Sequence, residues 1–598
     1  MKHRIALIFL CCVLVSGACK SHPDGAAATG KPVPAFLGDV PEDRYLDESD
    51  PGVYGGQLVI ALPANPKTFN PVTAASTTTL LLVGNVIYKA LTDFDNKEQT
   101  DIPSLAKSWE SSPDGLIWTM HLRKGVRWSD GEPFDADDVV FDFQLTFDPN
   151  IPAAAADSFV QSDGSYPRVE KADDYTVRFH LKEPNSYFIA ALNDVYLVPR
   201  HKLEGAYKAG TFAQSLPLNT DPKDVVGLGP YRLVSFTPDQ RVVVERNPYY
   251  WKVDKKGQRL PYIDRVTFLI VPDNNTWALK MENGEIDMHY FIQPTSVEQI
   301  KQDEKKANYT VYDLGPSLAA TYLAFNRDTG KNKEGKPRVD PIKLRWFSDV
   351  KFRQAVSFAI DREAMARTVF AGHAVPAYNF ESPANKVWYT DDIPKYPHNP
   401  DKARDLLKEI GITDRKGNGV LEDSDGNPIK FNLYTNANND VRVNTGNAIK
   451  DSLSKIGIEV NFLPIDLNVF HTMLESTHDF DAAIGNWDAA VPPDPVGAKN
   501  VILSNGSLHV SFANQKEPGT DWERKIDEDI NLVSRTADLP SRQKYYWDAM
   551  RLWSEYLPEI ELCIPEYFVA AKNIFGNFKP APLRNYTYWN IDELYFTK

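Results

Sequence analysis

The chain has 598 residues, 42% of them hydrophobic and 12% aromatic, and carries a formal net charge of −15 at pH 7. This length exceeds the roughly 250–300 residues at which a single hydrophobic core stops growing, so we expect at least two lobes, and the aromatic content indicates a globular chain. The acidic balance argues against a nucleic-acid-binding protein, because phosphate recognition requires clustered lysine and arginine side chains.

The amino terminus has the pattern of an export signal. Residues 2–4 are basic or histidine, residues 5–15 form a short apolar run, and small residues follow. The apolar run is shorter than the roughly 20 residues that cross a bilayer. We therefore expect residues 1–18 to be a signal peptide that is removed on export.

The signal ends at a sequence that resembles the lipobox of bacterial lipoproteins. Ser16, Gly17 and Ala18 precede Cys19, whose acylation would anchor the protein to a membrane. Ser16 stands where a lipobox usually has leucine or valine, so ordinary cleavage to a soluble periplasmic protein stays open. Residues 19–53 are rich in small, proline and acidic residues and predict a flexible tether.

The cysteines offer no intramolecular disulfide framework. Cys11 and Cys12 lie in the signal and Cys19 at its end, which leaves only Cys563 for the body of the protein. Cys563 lies in an apolar run, where we expect burial rather than a reactive thiol.

Beyond the tether, short strands alternate with helices, which predicts a mixed α/β architecture. Alternating apolar residues indicate strands, and apolar residues three and four apart indicate helices. Asp135 is expected to cap a helix that continues through Phe143. The other predicted elements are a strand over 57–61, a helix over 80–91, a hairpin of 109–112 with 117–122, a helix over 352–370, a helix capped by Asp401 that ends near Gly411, a helix over 447–456 and a strand over 458–463.

No enzyme motif is found in the sequence. Gly-x-Ser-x-Gly, His-Glu-x-x-His and glycine-rich phosphate loops are absent, so we predict no enzyme, no catalytic residue and no cofactor. The loop over 414–428 has Asp, Asn and Gly at short intervals, but Lys416 occupies the third position of a calcium loop, which favours a solvated hairpin over a metal site. Paired carboxylates such as Asp137 and Asp138 are expected to cap helices.

A series of short motifs follows in a fixed order along almost the whole chain after the tether. They include Gly55-Gly56-Gln57-Leu58, Phe69-Asn70-Pro71, Ile87-Tyr88-Lys89-Ala90-Leu91, Leu105-Ala106-Lys107-Ser108-Trp109, Trp128-Ser129-Asp130-Gly131-Glu132-Pro133-Phe134, Arg246-Asn247-Pro248-Tyr249-Tyr250-Trp251, Gly284-Glu285-Ile286-Asp287 and Ile360-Asp361-Arg362. Together they resemble the family 5 extracellular solute-binding proteins, the dipeptide- and oligopeptide-binding proteins of ABC importers. Most of these residues are structural, with glycine and aspartate at turns, so they indicate the fold and not the solute.

The resemblance implies an α/β, two-lobed periplasmic-binding-protein-like fold of type II, cluster C, with an extra domain inserted in lobe one. Two crossing strands would join the lobes, near 314–323 and 565–571. The implied ranges are 54–97, 225–316 and 573–598 for lobe one, 98–224 for the inserted domain and 317–572 for lobe two.

The resemblance further implies capture of an oligopeptide by hinge closure, followed by delivery to the permease and ATPase subunits of an ABC importer. Such a protein is expected to be a monomer in the periplasm or at the cell surface. An oligosaccharide, an opine or another non-peptide solute in the same transport role stays open. A lipid-tethered surface adhesin or chaperone on the same fold stays open as well.

The family pattern also implies two walls of a binding cleft. Ala75, Ser76 and Thr77 would line the lobe-one side, and the alternative is that they only cap the helix that follows. The opposite wall would begin with Asn486, Trp487 and Asp488, in a loop that ends at Asp494-Pro495.

This second wall departs from the peptide-binding pattern. Peptide binders of the family have an aspartate three residues after the tryptophan, where it pairs with the peptide amine, and here that position is Ala490 in a loop one residue longer. Asp488 is the candidate replacement. Trp487, Trp277 and Trp388 are candidate platforms for a sugar, although core packing is favoured for the tryptophans outside this loop.

Overall fold

The computed structural model describes residues 35–488, 491–513, 515–583 and 586–597. The predicted signal peptide, Cys19 and Ala490 lie outside the described residues. The strands in chain order are β1 Tyr45–Leu46, β2 Gln57–Leu62, β3 Thr92–Asp95, β4 Thr100–Pro103, β5 Ala106–Ser111, β6 Ile117–Leu122, β7 Arg168–Asp173, β8 Thr176–His180, β9 Tyr231–Thr237, β10 Arg241–Arg246, β11 Lys252–Val253, β12 Arg265–Ile270, β13 Met288–Ile292, β14 Tyr309–Pro316, β15 Ala320–Phe325, β16 Ala374–Pro376, β17 Lys430–Asn436, β18 Glu459–Ile465, β19 Ala482–Trp487, β20 Glu559–Lys572, β21 Phe575–Gly576 and β22 Tyr595–Phe596.

The α-helices in chain order are α1 Thr77–Val83, α2 Ala136–Thr146, α3 Phe188–Leu192, α4 Arg200–Lys208, α5 Asn274–Glu282, α6 Val297–Ala307, α7 Pro341–Ser348, α8 Val350–Ala359, α9 Arg362–Thr368, α10 Pro400–Glu409, α11 Asp440–Ser454, α12 Leu467–Thr472, α13 Lys499–Ile502, α14 Asp521–Arg535 and α15 Leu539–Tyr556. Within the described ranges, every helix is too short or too polar to pass through a bilayer.

Within the described residues, twelve strands join in one mixed sheet. Their order is β18-β17-β19-β15-β20-β13-β2-β12-β10-β9, and β14 and β16 pair with β20 outside this path. Strand β2 pairs in parallel with both β12 and β13 and is mostly buried, as expected for a parallel strand covered on both faces. A separate antiparallel sheet, β5-β6-β8-β7, lies within 98–224.

Strand β20 belongs to both halves of the large sheet. Its residues 559–563 pair with β15, whereas residues 566–572 pair with β14. Residues 317–319 connect β14 directly to β15. The two halves are therefore joined by two neighbouring extended segments, and short segments of this kind can act as a hinge because few backbone dihedral angles must change.

The buried side chains form separate hydrophobic cores on the two sides of this junction. Leu58 and Met288 lie in one core, and Phe325 and Phe431 lie in another. A third core surrounds Trp128 and contains most of the aromatic side chains of 98–224. Separate cores are expected in a chain of this length.

Part of the predicted tether packs against the body of the protein. Strand β1 pairs in parallel with β11, and the Leu37 N–H donates a 2.9 Å hydrogen bond to the Pro248 carbonyl. Asp47 is buried. The expectation of a flexible tether is therefore corrected for residues 35–53, whose backbone and aromatic groups have partners on the body.

The predicted helix over 80–91 is wrong beyond its first turn. Helix α1 starts earlier and ends at Val83, because Gly84 leaves the helical conformation and Asn85 has a left-handed φ of 61°. A Cβ atom at Gly84 would lie 2.6 Å from the Tyr196 hydroxyl, so the close approach favours glycine there.

The predicted helix over 352–370 is divided into α8 and α9. Ile360 is extended, and the Asp361 side chain accepts a 2.8 Å hydrogen bond from the Ala364 N–H, which starts α9. The cap of α10 was also misplaced, because Asn399 caps this helix and Asp401 lies exposed in its first turn. The predicted helix over 447–456 corresponds to the last part of the longer α11.

Other local predictions are confirmed. The Asp135 side chain accepts a 2.8 Å hydrogen bond from the Asp137 N–H, and Asp138 accepts one of 3.3 Å from the Asp135 N–H, so the two form a capping box at α2. Strands β5 and β6 form the predicted antiparallel hairpin. Cys563 is fully buried and unpaired.

Candidate functional site

Trp487 is held in place at the end of β19. Residues 482–485 of this strand are buried, whereas Trp487 is half-buried. Its ring stacks on Tyr322 of β15, with ring centroids 5.1 Å apart and planes 18° from parallel. Its indole Nε1 donates a 2.8 Å hydrogen bond to Oε2 of Glu559 on β20. Both the face and the edge of the indole are therefore fixed by the neighbouring strands.

Two glutamates lie on β20 behind this tryptophan. Glu559 and Glu561 are each 2% exposed. Burial raises the pKa of Glu559 above its ordinary range, and burial together with the neighbouring Glu559 raises the pKa of Glu561. Among the described residues, neither carboxyl oxygen of Glu561 has a hydrogen-bond partner.

Asp488 places an exposed carboxylate directly after Trp487. The Asn486 side-chain amide donates a 3.4 Å hydrogen bond to Asp488 Oδ1. Arg442 of α11 contributes a positive charge to the same region and donates a 2.7 Å hydrogen bond to Asn436 Oδ1. Burial lowers the pKa of Arg442, and the neighbouring Tyr322 and the Asp488 carboxylate oppose this shift. This wall therefore offers charges of both signs beside an aromatic ring.

An aromatic cluster, defined here as Tyr290, Phe291, Tyr567 and Tyr586, lies on the other side of the junction. Tyr567 of β20 stacks on Tyr586 at 4.0 Å between ring centroids and contacts Phe291 at 5.4 Å, and Tyr290 lies parallel to Tyr586 at 6.5 Å. Burial and Tyr586 raise the pKa of Tyr567 well above its ordinary value, and the Asp488 carboxylate adds to this shift. Asp488 is thus within electrostatic reach of the aromatic cluster.

The predicted lobe-one wall has a local structural role. The Ser76 hydroxyl accepts a 3.3 Å hydrogen bond from the Thr79 N–H and caps α1, while Ala75 and Thr77 are exposed. Among the hydrogen bonds, ion pairs and ring contacts of the described residues, none joins these three residues to Asn486, Trp487 or Asp488. The structure therefore gives Ser76 the capping role and brings together only the second set of predicted site residues.

The two other tryptophans considered from sequence are buried in cores. Trp277 is 2% exposed and donates its indole N–H to the Val271 carbonyl at 2.7 Å. Trp388 is 4% exposed, and the Arg542 guanidinium lies 4.8 Å from its ring centroid. Within the described residues, no three histidine, cysteine, aspartate or glutamate side chains are grouped so as to hold a metal ion.

The inserted domain reaches lobe two through a small set of hydrogen bonds that we call the clasp, made by Gln99 and Ser186. The Gln99 amide donates a 2.8 Å bond to the Ala384 carbonyl and accepts a 3.1 Å bond from the Lys386 N–H. Ser186 donates its N–H to the Ser534 carbonyl and its hydroxyl to the Val533 carbonyl, each at 2.9 Å. The clasp therefore joins residues 98–224 to lobe two at two separate points.

Residues 493–496, which follow the candidate wall, are also held by contacts with other parts of the chain. Asp494 forms a 2.7 Å ion pair with Arg542, and the Asn385 amide donates a 3.0 Å hydrogen bond to the Pro493 carbonyl. Val496 packs against the cores of both the inserted domain and lobe two. Next to it, a cavity of about 420 Å³ opens between these parts of the chain. The wall that begins at Trp487 is thus continuous with the interface to the inserted domain.

Sequence analysis missed Glu559, Arg442 and the aromatic cluster. Glu559 and Glu561 alternate with apolar residues in β20, and alternation of this kind predicts a solvated face, whereas both are buried here. Arg442 and the cluster residues are distant from Trp487 in sequence and meet it only through the sheet. Charged residues inside an otherwise apolar strand were the one local signal available.

The arrangement offers stacking surfaces and charges that can hold a solute. Stacking surfaces at Trp487 and the aromatic cluster suit an apolar or planar solute group, and Asp488 and Arg442 supply charge and hydrogen bonds. The candidate site also lies beside the hinge strand β20, where a bound solute would contact groups from both halves of the sheet.

The chain is similar in sequence and in structure to known proteins along most of its length. The 28% identical oligopeptide-binding protein AppA of Bacillus subtilis aligns over 552 residues, which cover 91% of this chain and 92% of that protein. Heme-binding protein A of Haemophilus influenzae is 31% identical over 523 residues, 83% of this chain and 84% of that protein. The solved structure of AppA from Bacillus subtilis in complex with a nonapeptide is 26% identical, with a TM-score of 0.68, and the match covers 92% of this chain and all of that one.

The family assignment rests on a match to a family model. Residues 102–507 match the model of the bacterial extracellular solute-binding proteins, family 5 Middle. This range covers nearly all of the predicted inserted domain and most of the predicted lobe two, and the neighbouring structures have the two-lobed fold expected from the motifs. The chain belongs to the bacterial extracellular solute-binding proteins of family 5.

Proposed function

We propose that this protein is the solute-binding component of an ABC importer and that it captures an oligopeptide between its two lobes. The observation that carries the proposal is the pair Trp487 and Asp488 beside the hinge strand β20, where Trp487 is fixed by Tyr322 and Glu559 and the Asp488 carboxylate acts on Tyr567 of the aromatic cluster. A solute that touches both sides favours the closed arrangement, because only that arrangement completes its contacts. The oligopeptide-binding protein AppA, which shares the fold over nearly its whole length, supports a peptide as the solute.

The peptide would be held mainly by its backbone. Extended peptides add to exposed strand edges through main-chain hydrogen bonds, while loosely filled pockets accept different side chains. Asp488 would receive the free α-amino group, with Asn486 orienting the carboxylate. A charge-assisted hydrogen bond of this kind is stronger than one between neutral groups.

A non-peptide solute is the second candidate, and Ala490 favours it. Without a carboxylate at this position, a peptide amine depends on Asp488 alone, and an unpaired buried amine would cost several kcal/mol. The aromatic cluster suits a flat or sugar-like solute equally well. The relative named heme-binding protein A supports a change of cargo on this fold.

The remaining parts of the proposal concern setting and organisation. The protein would bind its solute without turning it over, act as a monomer with the permease and ATPase subunits, and lie in the periplasm or at the cell surface. Acylation of Cys19 would anchor it to the membrane. The separate cores and the shared strand β20 support the division into lobe one, inserted domain and lobe two given above.

Native mass spectrometry of the protein purified from cells tests the cargo. We expect a ladder of peptide masses to accompany the folded protein, and Trp487→Ala to lose most of it. Trp109→Phe, at a half-buried tryptophan that packs against the core of the inserted domain, is the control and should retain the ladder. A single non-peptide mass or a hexose ladder would overturn the peptide and support the second candidate. Turnover of a peptide or glycoside panel would contradict the binding role itself.

A further inference from the structure

Two carboxyl groups are buried together on the hinge strand, behind the proposed solute-binding wall. Glu559 and Glu561 are separated by one residue on β20, so their side chains lie on the same face of the sheet. On the neighbouring strand β15, Tyr322 pairs with Glu561 and Ala324 pairs with Glu559. The small side chain of Ala324 leaves room on this face, and the Trp487 indole N–H reaches Glu559 there at 2.8 Å.

The surroundings provide little counter-charge for either acid. Among the described residues, neither Glu559 nor Glu561 forms an ion pair, and no donor meets hydrogen-bond geometry at the Glu561 carboxyl, although the Trp553 indole lowers its pKa. The Arg362 guanidinium lowers the pKa of Glu561, but its Nε and Nη1 donate to the backbone carbonyls of Glu561 and Ser357. An isolated buried carboxylate is far more costly than a buried neutral acid, so the structure requires neutral carboxylic acids here.

Each packed element contributes few titratable groups to this region. The groups that interact with the acid pair or with the Tyr322 ring lie on β20, β15, α9, α11, α15 and the turn after α12. They are Glu559, Glu561, Tyr322, Arg362, Arg442, Tyr546 and Glu475, and Asp488 after β19 acts on Arg442. The tyrosines are neutral at the pH values concerned, because burial raises their pKa well above the ordinary value. The buried acid pair therefore remains the group whose charge changes behind Trp487.

We infer that Glu559 is a positioning residue which, as a neutral carboxylic acid, holds the Trp487 wall in its binding geometry, and that ionisation of Glu559 releases this wall. Among the described residues, the indole N–H is the one hydrogen-bond donor to the Glu559 side chain; ionisation would strengthen this bond, but a single donor does not compensate a buried negative charge. Ionisation would draw water to Glu559, and separation of the stacked Trp487 and Tyr322 rings would open a path for it. Solute capture would then weaken as pH rises. The expected effect on solute capture rests on the proposed function, whereas the role of Glu559 in holding Trp487 does not.

The direction of the pH effect follows from the acid. A carboxyl whose folded-state pKa lies above the ordinary glutamate value of 4.5 keeps its proton in the folded protein after the unfolded chain has released it. Its contribution to stability is therefore complete below that value and is lost as pH rises toward the folded-state pKa. The wall should be ordered at acidic and neutral pH and loosen in alkaline solution.

Fluorine NMR on the full chain labelled with 5-fluorotryptophan tests the inference without any solute. The Trp487 signal is assigned by its loss in Trp487→Phe, and spectra are recorded from about pH 5 to about pH 9. We expect this signal to shift with pH in the wild type and to stay constant in Glu559→Gln, whose amide oxygen still accepts the indole hydrogen bond but cannot ionise. Glu559→Leu should move the signal at every pH. Glu566→Gln, at another acid of β20, is the control and should titrate like the wild type.

A Trp487 signal that is constant in the wild type, or that titrates equally in Glu559→Gln, would overturn the inference. A second measurement uses a defined mixture of unmodified tri- to pentapeptides as probe. As pH rises, the affinity for peptide should fall. The total fall should be about tenfold for each unit by which the pKa of Glu559 differs between the free and the bound protein, and it should vanish in Glu559→Gln. If no peptide binds at any pH, the peptide proposal fails while the fluorine result alone decides the role of Glu559.

Discussion

The phenol ring of Tyr322 lies across Gly485 and carries the indole of Trp487 on its face. The two rings are 5.1 Å apart, and a Cβ atom at position 485 would lie 2.1 Å from the Tyr322 hydroxyl oxygen. Tyr322 and Gly485 are paired residues of β15 and β19, so this close approach is built into the register of the sheet. The position of the Trp487 ring therefore depends on the glycine at position 485.

Gly485→Ala should destabilise the protein and disturb the wall together. The added methyl group forces Tyr322 from its place, and overpacking of this kind costs about 1–3 kcal/mol. Chemical denaturation measures the loss, and native mass spectrometry should show less co-purified solute. Gly205→Ala in α4 is the control, since nothing lies within 4 Å of its Cβ position and alanine favours helix.

A second substitution separates the clash from other effects of Gly485→Ala. Tyr322→Ala in the Gly485→Ala background removes the ring that the new methyl group meets. The double variant should therefore be more stable than the sum of the two single losses predicts. Strict additivity would show that the glycine matters for a reason other than Tyr322.

The sequence alone predicted the family, the mixed architecture and several local elements, because these depend on short-range patterns. The Asp135 capping box and the β5–β6 hairpin are examples. Helix α1 was predicted to run too far because apolar spacing continues past Gly84, although its tight contact with Tyr196 ends the helix. That contact is tertiary and leaves no trace in the local pattern.

The candidate site was predicted only in part for the same reason. Trp487 and Asp488 were found because they lie in one family motif. Glu559 lies 72 residues from Trp487, and its burial depends on which faces of β20 are covered. Ala75, Ser76 and Thr77 remain a prediction as solute ligands, and the observed cap of α1 explains Ser76 without a solute.

The clasp at Gln99 should contribute to closure of the inserted domain on lobe two. Gln99→Ala removes two hydrogen bonds, worth about 1–3 kcal/mol together, which corresponds to about a five- to 100-fold shift in the closed population. The amide of Lys386 loses its acceptor in this variant, so hydrogen exchange at 384–386 should accelerate. Gln302→Ala, at an exposed position of α6, is the control. Unchanged protection at Lys386 would show that the clasp does not limit opening.

Asp142 in α2 should make the inserted domain less stable in alkaline solution. Burial raises its pKa to about 8, and Oδ2 has no hydrogen-bond partner, while Oδ1 accepts a 3.1 Å bond from the Val198 N–H. The folded protein therefore keeps a proton that the unfolded chain loses near the ordinary value of 3.8. The stability this provides is complete below that value and is lost as pH rises toward 8.

Asp142→Asn keeps the acceptor oxygen and cannot ionise. The free energy of unfolding of the wild type should fall relative to the variant by at most about 1.4 kcal/mol per pH unit, measured by urea denaturation between the two pKa values. Asp157→Asn, at an exposed position, controls for the loss of one carboxylate. Parallel curves for wild type and Asp142→Asn would show that Asp142 is already solvated and ionised.

Asp488→Asn should weaken the capture of peptides that have a free α-amino group. The exposed carboxylate follows Trp487 directly, and a hydrogen bond to a charged group contributes about 1.5–3 kcal/mol, so the affinity should fall at least about tenfold. Isothermal titration with unmodified tetrapeptides measures this loss. The same peptides with an acetylated amino terminus should bind wild type and variant equally weakly, because they carry no charge for Asp488 to meet. Asp479→Asn, at another exposed carboxylate just before β19, should bind like the wild type. Equal affinity of Asp488→Asn and wild type for free-amine peptides would mean that Asp488 does not replace the carboxylate missing at Ala490.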